Sequence, residues 1–348
     1  MDEDLAEVYS INSVPSVTKP GDIDGTIPDW LRPIMANEKL KAVWVRLSLL
    51  TLIINVCLIF LFTLIVFYNM IVQLFMIPEL LGPVYVLAPI FIIFFCFFHS
   101  LIGLGWLNAI IYLVLVIICS WIWEELGVLT GIIFGKYEYT ALIPYHISKV
   151  PLEVPFSWYI FLYISFCISD IIVNTRLHAR QRESLPKPIK LRIFEAILVS
   201  LFTGAVAVGW DVVSDPMGST RCSIWIWENG NGYFFGVPLL NFIGWFWLSS
   251  LFTAIFLVIE HYIPLKPLFK LSLGHSLCPL VLYLVFILYY LVLSDPPELG
   301  FVSIFSMGVP LLIALFRLLT RILKPRPKLD EYDPILEASR NYDDFYRK

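Results

Sequence analysis

The 348-residue sequence carries little charge. Asp, Glu, Lys and Arg together make up 15% of its residues, whereas 59% are hydrophobic. Soluble domains average about 25% charged and about 45–50% apolar residues. A water-soluble fold could not bury this much apolar surface, so the composition favours an integral membrane protein.

Motifs that bind nucleotides or catalytic zinc are absent. The sequence has no GxGxxG, P-loop, HExxH or Gly-x-Ser-x-Gly pattern. Its six cysteines lack CxxC or zinc spacing and are interpreted as small buried hydrophobic residues. Asp-rich DDxxD or NDxxD motifs, which hold magnesium on a diphosphate, are also missing. We therefore predict no metal site and no cofactor, and metal-dependent prenyl transfer is disfavoured.

Apolar runs of about 20 residues predict membrane-spanning helices. The fold class predicted is all-α, a multi-pass transmembrane helical bundle of about eight spans. The second and third of these could also form one kinked unit. The spans fall near 46–68, 84–105, 107–123, 157–175, 193–213, 239–260, 273–294 and 301–322.

Lysine and arginine residues are distributed unevenly between the two sides of this arrangement. They precede the first span, follow the fourth and sixth, and close the chain, whereas the opposite side carries only Lys136, Lys149 and Arg221. Because cytoplasmic loops are enriched in these residues, both termini are predicted to be cytoplasmic. The expected location is a multi-pass position in the endoplasmic reticulum if the source is eukaryotic, or in the plasma membrane if it is prokaryotic.

The same pattern predicts three regions. Residues 1–44 are expected to form a flexible polar N-terminal tail, and 45–323 a transmembrane catalytic bundle. Residues 324–348 are expected to form a polar cytoplasmic C-terminal tail.

Two aspartates interrupt the end of the fifth span. Asp211 and Asp215 are four residues apart, so they share one helix face if the helix continues to Pro216. Two carboxylates this close cannot both ionise cheaply, so one is expected to hold a proton. Alternatively, Asp215 caps a turn before Pro216 and Asp211 is wetted by headgroup water.

Further acids lie at membrane depth, where ionisable groups are costly and usually functional. Glu124 and Glu125 close the third span, and only one is expected to face the bundle because adjacent helical residues point about 100° apart. Asp170 lies inside the fourth span. The side chains predicted to bind substrate around these acids are Trp121, Trp123, Tyr137, Tyr139, Trp158, Trp210, Trp225, Trp227, Tyr233 and Asn241.

Acids and aromatic rings together suit carbocation chemistry. A carboxylic acid in a dry pocket can protonate an alkene and yield a tertiary carbocation, which aromatic faces stabilise by about 0.5–2 kcal/mol each. Capture of the cation by water gives hydration, and capture by another alkene of the same chain gives cyclisation. Transport stays open as well, because intramembrane acids also build proton relays.

Three segments carry a family resemblance. The pattern E-x-x-G-x-x-T-G-x-x-F-G-x-Y-x-Y starts at Glu124 or Glu125 and ends at Tyr139. VPLEVPFSWY follows at 150–159, and GWDVVSDP with WIWENGNGYFFGVPLLNFIGW lies within 209–245. In order and spacing these segments resemble the carotenoid biosynthesis protein family, the bisanhydrobacterioruberin hydratase-like integral membrane proteins.

The resemblance implies a multi-pass helical enzyme that adds water to the terminal double bond of an isoprenoid chain. Carried over residue by residue, it implies Asp211, Asp215 and Glu125 as catalytic acids, with Glu124 as the alternative register. The expected partners are a lipophilic isoprenoid substrate and membrane lipid, with no nucleic acid, and the sequence defines no oligomeric state.

The leading interpretation is therefore a hydro-lyase that protonates an isoprenoid C=C bond and hydrates a carotenoid or polyprenoid chain end. A membrane-bound terpene cyclase that uses the same acid-initiated carbocation is the first alternative. A non-enzymatic transporter, coupled to lipid or protons, is the second.

Overall fold

In the computed structural model, the described residues are 38–74, 82–173, 189–228, 232–262 and 273–323. The chain divides after residue 49 into two units. In the first unit, the described residues form the opening turns of one helix. The second unit contains the buried core. The tails predicted at 1–44 and 324–348 lie outside the described residues, except for 38–44, which are helical.

Helices form most of the described chain, because a helix satisfies its backbone hydrogen bonds internally, as a lipid environment requires. A short π-helix, Met217–Arg221, follows the fifth helix directly. The prediction of an all-α, multi-pass bundle is confirmed. The helices are α1 (Glu38–Leu74), α2 (Gly82–Gly103), α3 (Trp106–Thr130), α4 (Glu153–Val173), α5 (Ile189–Pro216), α6 (Leu239–Tyr262), α7 (Leu273–Leu293), α8 (Glu298–Ser306) and α9 (Gly308–Leu323).

Seven segments of the described chain are long and apolar enough to cross a membrane. A shorter apolar helix, Ala88–Gly103, accounts for the second predicted span. The chain is therefore an integral multi-pass membrane protein, and the orientation of its termini stays a prediction. The seven segments are Arg46–Tyr68, Trp106–Thr130, Glu153–Val173, Ile189–Arg221, Leu239–Tyr262, Leu273–Leu293 and Glu298–Thr320.

The second and third predicted spans are separate helices. Gly105, between α2 and α3, has a φ of 87°, a left-handed value that L side chains rarely adopt. This backbone conformation ends the helical path and restarts it at Trp106. Helix α3 then runs to Thr130, about two turns beyond the predicted end at 123. Glu124 and Glu125 consequently lie within a helix rather than at its end.

Close packing joins α5 to α6. A Cβ at Gly204 would lie 2.2 Å from the hydroxyl of Ser250 and 2.5 Å from the carbonyl oxygen of Phe246. Only glycine therefore permits this approach of the two helices. The contact brings the start of α6 against the acidic end of α5, where the candidate site lies.

The two long loops form short strands that pair with each other. In the loop after α3, strand β1 (Tyr137–Tyr139) pairs antiparallel with β4 (Trp225–Trp227) from the loop after α5. Strands β2 (His146–Ile147) and β3 (Val150–Pro151) form a second small pair within the first loop. The β1–β4 pairing puts both loops on one side of the bundle, which agrees with the predicted span numbering.

Candidate functional site

The two aspartates of α5 share one amide partner. Helix α5 continues as an α-helix through Asp215 to Pro216, which meets the condition for a shared face, so Asp211 and Asp215 lie one turn apart on the same face. Both are buried. The Nδ2 atom of Asn241 lies 2.8 Å from Oδ2 of Asp211 and 2.8 Å from Oδ2 of Asp215. Because this amide nitrogen carries two hydrogens, it donates one to each carboxylate.

Two indoles complete the partners of Asp215. The Nε1 atoms of Trp225 and Trp227 donate to Oδ1 of Asp215 at 3.1 and 3.2 Å. The absence of a side chain at Gly218 makes room for this contact, because a Cβ there would lie 2.2 Å from the Trp225 ring. Asp215 is thus held by donors from both α6 and β4.

A third carboxylate, Glu124 of α3, is buried nearby with its own three donors. The hydroxyls of Tyr137 and Tyr139 both donate to its Oε2 atom, the latter at 2.8 Å. The Nε1 atom of Trp158 donates to Oε1 at 2.7 Å. Each donor comes from outside α3, so Glu124 ties β1 and α4 to its helix.

Strand register explains how four of these donors reach the acids. Tyr137 lies opposite Trp227, and Tyr139 lies opposite Trp225. Since alternate strand residues point to the same face, these four side chains all face the bundle. Between them Glu138 and Ile226 point outward and are exposed. The β1–β4 pair therefore covers the acids with a layer of Tyr and Trp donors.

The three carboxylates form one electrostatic cluster, which we call the acid cluster: Glu124, Asp211 and Asp215. The charge of Glu124 interacts with both aspartates. Their hydrogen-bond partners are unequal, however. Among the described residues, Glu124 and Asp215 each accept three hydrogen bonds, whereas Asp211 accepts one, from Asn241.

Burial keeps the two tyrosine donors in their neutral form. It raises the pKa of the Tyr137 phenol well above its ordinary value, and the nearby Glu124 carboxylate raises it further. The pKa of Tyr139 is raised by the same two causes in the same order. Both hydroxyls therefore remain proton donors toward Glu124 far into the alkaline range.

Aromatic rings surround the acid cluster on the bundle side. Trp158, the donor to Glu124, stacks on Trp245 with ring centroids 3.7 Å apart and planes at 1°. Trp210, beside Asp211, contacts Phe161 and Phe286 at centroid distances of 4.6 and 4.5 Å. Aromatic faces attract cations, so this environment suits a developing positive charge.

Several predicted residues lie outside the acid cluster. Glu125 accepts hydrogen bonds from the Ser148 hydroxyl at 2.7 Å and from the Lys149 backbone at 3.1 Å. Trp121 donates to the carbonyl oxygen of Ile147 at 3.3 Å. Both residues thus hold the β2–β3 turn from the partly exposed face of α3.

Three further candidates also lie apart. Trp123 is half-buried against the core. Tyr233 is 93% exposed, so its ring does not line the buried site. Asp170 is buried on α4, twelve residues from Trp158, which is about 18 Å along a helix axis. The remaining predicted residues belong to the acid cluster or donate to it, except Trp210, which follows Gly209 directly before Asp211 and donates to Tyr290.

Sequence reasoning missed Trp245 and Tyr290. Trp245 lies four residues after Asn241, so one helix face carries the amide and the ring that stacks on Trp158. This spacing of four residues could have identified Trp245 from the sequence. The Tyr290 hydroxyl accepts a hydrogen bond from Nε1 of Trp210 at 2.9 Å, and its position in α7 has no local sequence cue.

No group of three His, Cys, Asp or Glu side chains in the described ranges has an arrangement that could hold a metal ion. In the acid cluster, the oxygens of Glu124 and Asp215 already accept hydrogen bonds from tyrosine, tryptophan and asparagine donors. The polar groups around these two carboxylates are hydrogen-bond donors, and they stabilise the carboxylates directly.

The fold and the site together define a multi-pass membrane protein with a buried carboxylate centre enclosed by aromatic residues. The family model described as carotenoid biosynthesis protein matches residues 81–314. The chain belongs to that family, and its general role is in carotenoid biosynthesis. No curated protein and no solved structure gives a match.

Proposed function

We propose that this protein protonates a carbon–carbon double bond of an isoprenoid chain and hydrates it, with Asp211 as the proton donor. The observation that carries the proposal is the unequal distribution of hydrogen-bond donors in the acid cluster. Within the described part of the chain, three donors stabilise the charged form of Glu124 and three that of Asp215, whereas one contacts Asp211. The proton that this crowded group of acids retains therefore belongs on Asp211.

Proton transfer from Asp211 to the less substituted alkene carbon generates a tertiary carbocation. The ionised neighbours Glu124 and Asp215 stabilise the cation electrostatically, and the ring of Trp210 adds a cation–π contribution. Water then adds to the cation, and the Asp211 carboxylate takes the proton released. Alkene and water become an alcohol, and Asp211 is regenerated as an acid with no net consumption or release of protons.

A groove on the outer surface supports access from the bilayer. It encloses about 390 Å³ between α5 and α6. One of its residues, Phe242, follows Asn241, and another, Val208, precedes Asp211 by one turn. An apolar chain lying in the groove would have its end close to the acid cluster. The lining residues are Ala205, Val208, Phe242, Ile243, Phe246 and Trp247.

Product analysis tests the proposal directly. The full chain is expressed in a host that supplies carotenoid or polyprenoid substrates, and extracts are analysed by mass spectrometry. Hydration predicts a product heavier by one water molecule, which is lost in the Asp211→Asn variant and kept in the Glu228→Gln variant, whose residue is an exposed partner of Lys136.

Other products would contradict the proposal in different ways. If the product is an isomer of the substrate and its formation requires Asp211, the reaction is cyclisation and not hydration. The absence of any new product, with the protein inserted in the membrane, would favour transport or lipid binding.

A further inference from the structure

A second polar cluster is buried in the bundle, separate from the acid cluster. The rings of Tyr112 on α3 and of Tyr159 and Tyr163 on α4 lie with centroids 5.8 to 6.1 Å apart. All three tyrosines are at most 1% exposed. The proposed proton transfer uses none of them.

His99 on α2 closes one side of this group. Its Nε2 atom lies 2.9 Å from the backbone carbonyl oxygen of His275, and its Nδ1 atom lies 2.7 Å from the Tyr163 hydroxyl. Because a carbonyl oxygen only accepts, the ring proton is on Nε2, and the Tyr163 hydroxyl donates to Nδ1. Both ring nitrogens of His99 are therefore engaged, one with Tyr163 and one with the His275 carbonyl, so His99 makes no hydrogen bond to Tyr112 or Tyr159.

Three buried hydroxyls on these helices and on α6, those of Tyr112, Tyr159 and Ser249, make no hydrogen bond of ordinary geometry to a described residue, although the Ser100 side chain lies near that of Tyr159. Tyr112 and Ser249 are connected through α6, because Phe256, two turns beyond Ser249, packs edge-on against Tyr112 at 4.7 Å. Buried hydroxyls without a partner are destabilising, and protein interiors satisfy such groups with bound water. Helices α3, α4 and α6 thus each contribute one such hydroxyl to the interior of the bundle.

We propose that this region, lined by Tyr112, Tyr159 and Ser249, is a water-binding chamber that supplies the acid cluster. Tyr159 directly follows Trp158, the donor to Glu124, and Ser249 lies one turn beyond Trp245, which stacks on Trp158. The chamber therefore reaches the aromatic pair that bounds the acid cluster. On the loop side, the buried side chains of Tyr137 and Trp227 cover the acids, so water needs another route.

The supply role rests on the proposed hydration, which consumes one water molecule for each alkene converted. The presence of water in the chamber does not depend on that reaction. Two separate measurements therefore address the two halves of the proposal.

Hydroxyl-radical labelling of the full-length protein in nanodiscs tests the chamber. Brief radiolysis generates radicals from bound water, so Tyr112 and Tyr159 should be oxidised although they are buried. Phe62 is the dry control, since it is buried on α1 and belongs to neither the acid cluster nor the chamber, and Tyr233 is the exposed control. Labelling of Tyr233 without Tyr112 and Tyr159, or labelling of Phe62 equal to theirs, would overturn the chamber.

The supply role is tested with Tyr112→Phe and Ser249→Ala, and Tyr262→Phe on the exposed end of α6 is the matched control. Each chamber variant should shift the product from the alcohol toward an isomer of the substrate, because the cation forms but meets less water. An unchanged product ratio in both variants would overturn the supply role. Normal turnover in Asp211→Asn would instead remove the proposed function and leave the labelling result standing.

Discussion

Tyr137 lies directly opposite Trp227 in the β1–β4 pair, with ring centroids 5.0 Å apart. The two side chains donate to different acids, Tyr137 to Glu124 and Trp227 to Asp215. One cross-strand contact therefore couples two loops that are 90 residues apart in sequence to carboxylates on two different helices. Disturbing either strand should disturb both acids.

Loss of the two tyrosine hydroxyls should change how stability depends on pH. Because the folded-state pKa values of Tyr137 and Tyr139 are raised, their stabilisation is complete below the unfolded value of about 10 and is lost as pH rises further. The wild-type protein should therefore lose stability above about pH 10. The Tyr137→Phe/Tyr139→Phe variant should lose less over the same range.

Thermal unfolding in detergent at a series of alkaline pH values measures this difference. Tyr145→Phe, which changes an exposed tyrosine of the same loop, is the control and should follow the wild type. An equally steep loss of stability in the double variant would contradict the prediction.

Asp211→Asn and Asp215→Asn should separate activity from stability. Loss of general acid catalysis typically costs 10²–10⁴-fold, so we expect Asp211→Asn to lower turnover by about that factor. The hydrogen bond that Asp211 accepts from Asn241 can be kept by the amide oxygen, so folding should persist. Asp215→Asn should cost less turnover and more stability, because a carboxylate that accepts three hydrogen bonds becomes a group with one acceptor oxygen.

Turnover of membrane-inserted protein and melting temperature, measured on the same samples, give both quantities. Near-normal turnover in Asp211→Asn would remove Asp211 from the mechanism. Glu124 would then be the next acid to test.

Glu124→Gln and Glu125→Gln form a matched pair of adjacent changes. Glu124 is buried with three donors, so its amide variant should lose about 1–3 kcal/mol of unfolding free energy. Glu125 lies on the partly exposed face and its substitution should stay within about 0.5 kcal/mol of the wild type. Denaturant unfolding in micelles measures the difference, and equal effects of the two changes would contradict the burial of Glu124.

Both termini should face the cytoplasm, because the Lys and Arg residues cluster on that side. Reporter fusions at each end, together with protease protection, determine the side. A cysteine placed at Glu138, which is exposed on β1, should react with an impermeant maleimide from the opposite side. Termini on opposite sides would break the proposed topology.

The fold was predictable from sequence because each span is a long apolar run whose helical hydrogen bonds are local. Asp211 and Asp215 were predictable as a pair for the same reason, since their spacing is one helical turn. The choice between Glu124 and Glu125 was not, because both lie on the same helix and only its rotation against α4 decides which one is buried.

The strand pairing was also beyond the sequence. Strands β1 and β4 have three residues each, too few for an alternating pattern to stand out from a loop rich in aromatics. The partner of each strand depends on how α3 and α5 each pack against α4 and α6, which no local signal encodes. Asn241 was predicted as a binding residue, but the structure places its amide between two carboxylates.

The indoles that donate to the acid cluster make its state visible in the tryptophan fluorescence. Trp158, Trp225 and Trp227 each point their Nε1 atom at a carboxylate, so the emission of these rings responds to the charge beside them. Occupation of the centre by an apolar chain, or neutralisation of one acid, alters the local electric field and hence the fluorescence spectrum. The protein therefore contains a built-in spectroscopic probe, with which ligand affinity can be titrated in lipid vesicles without any label.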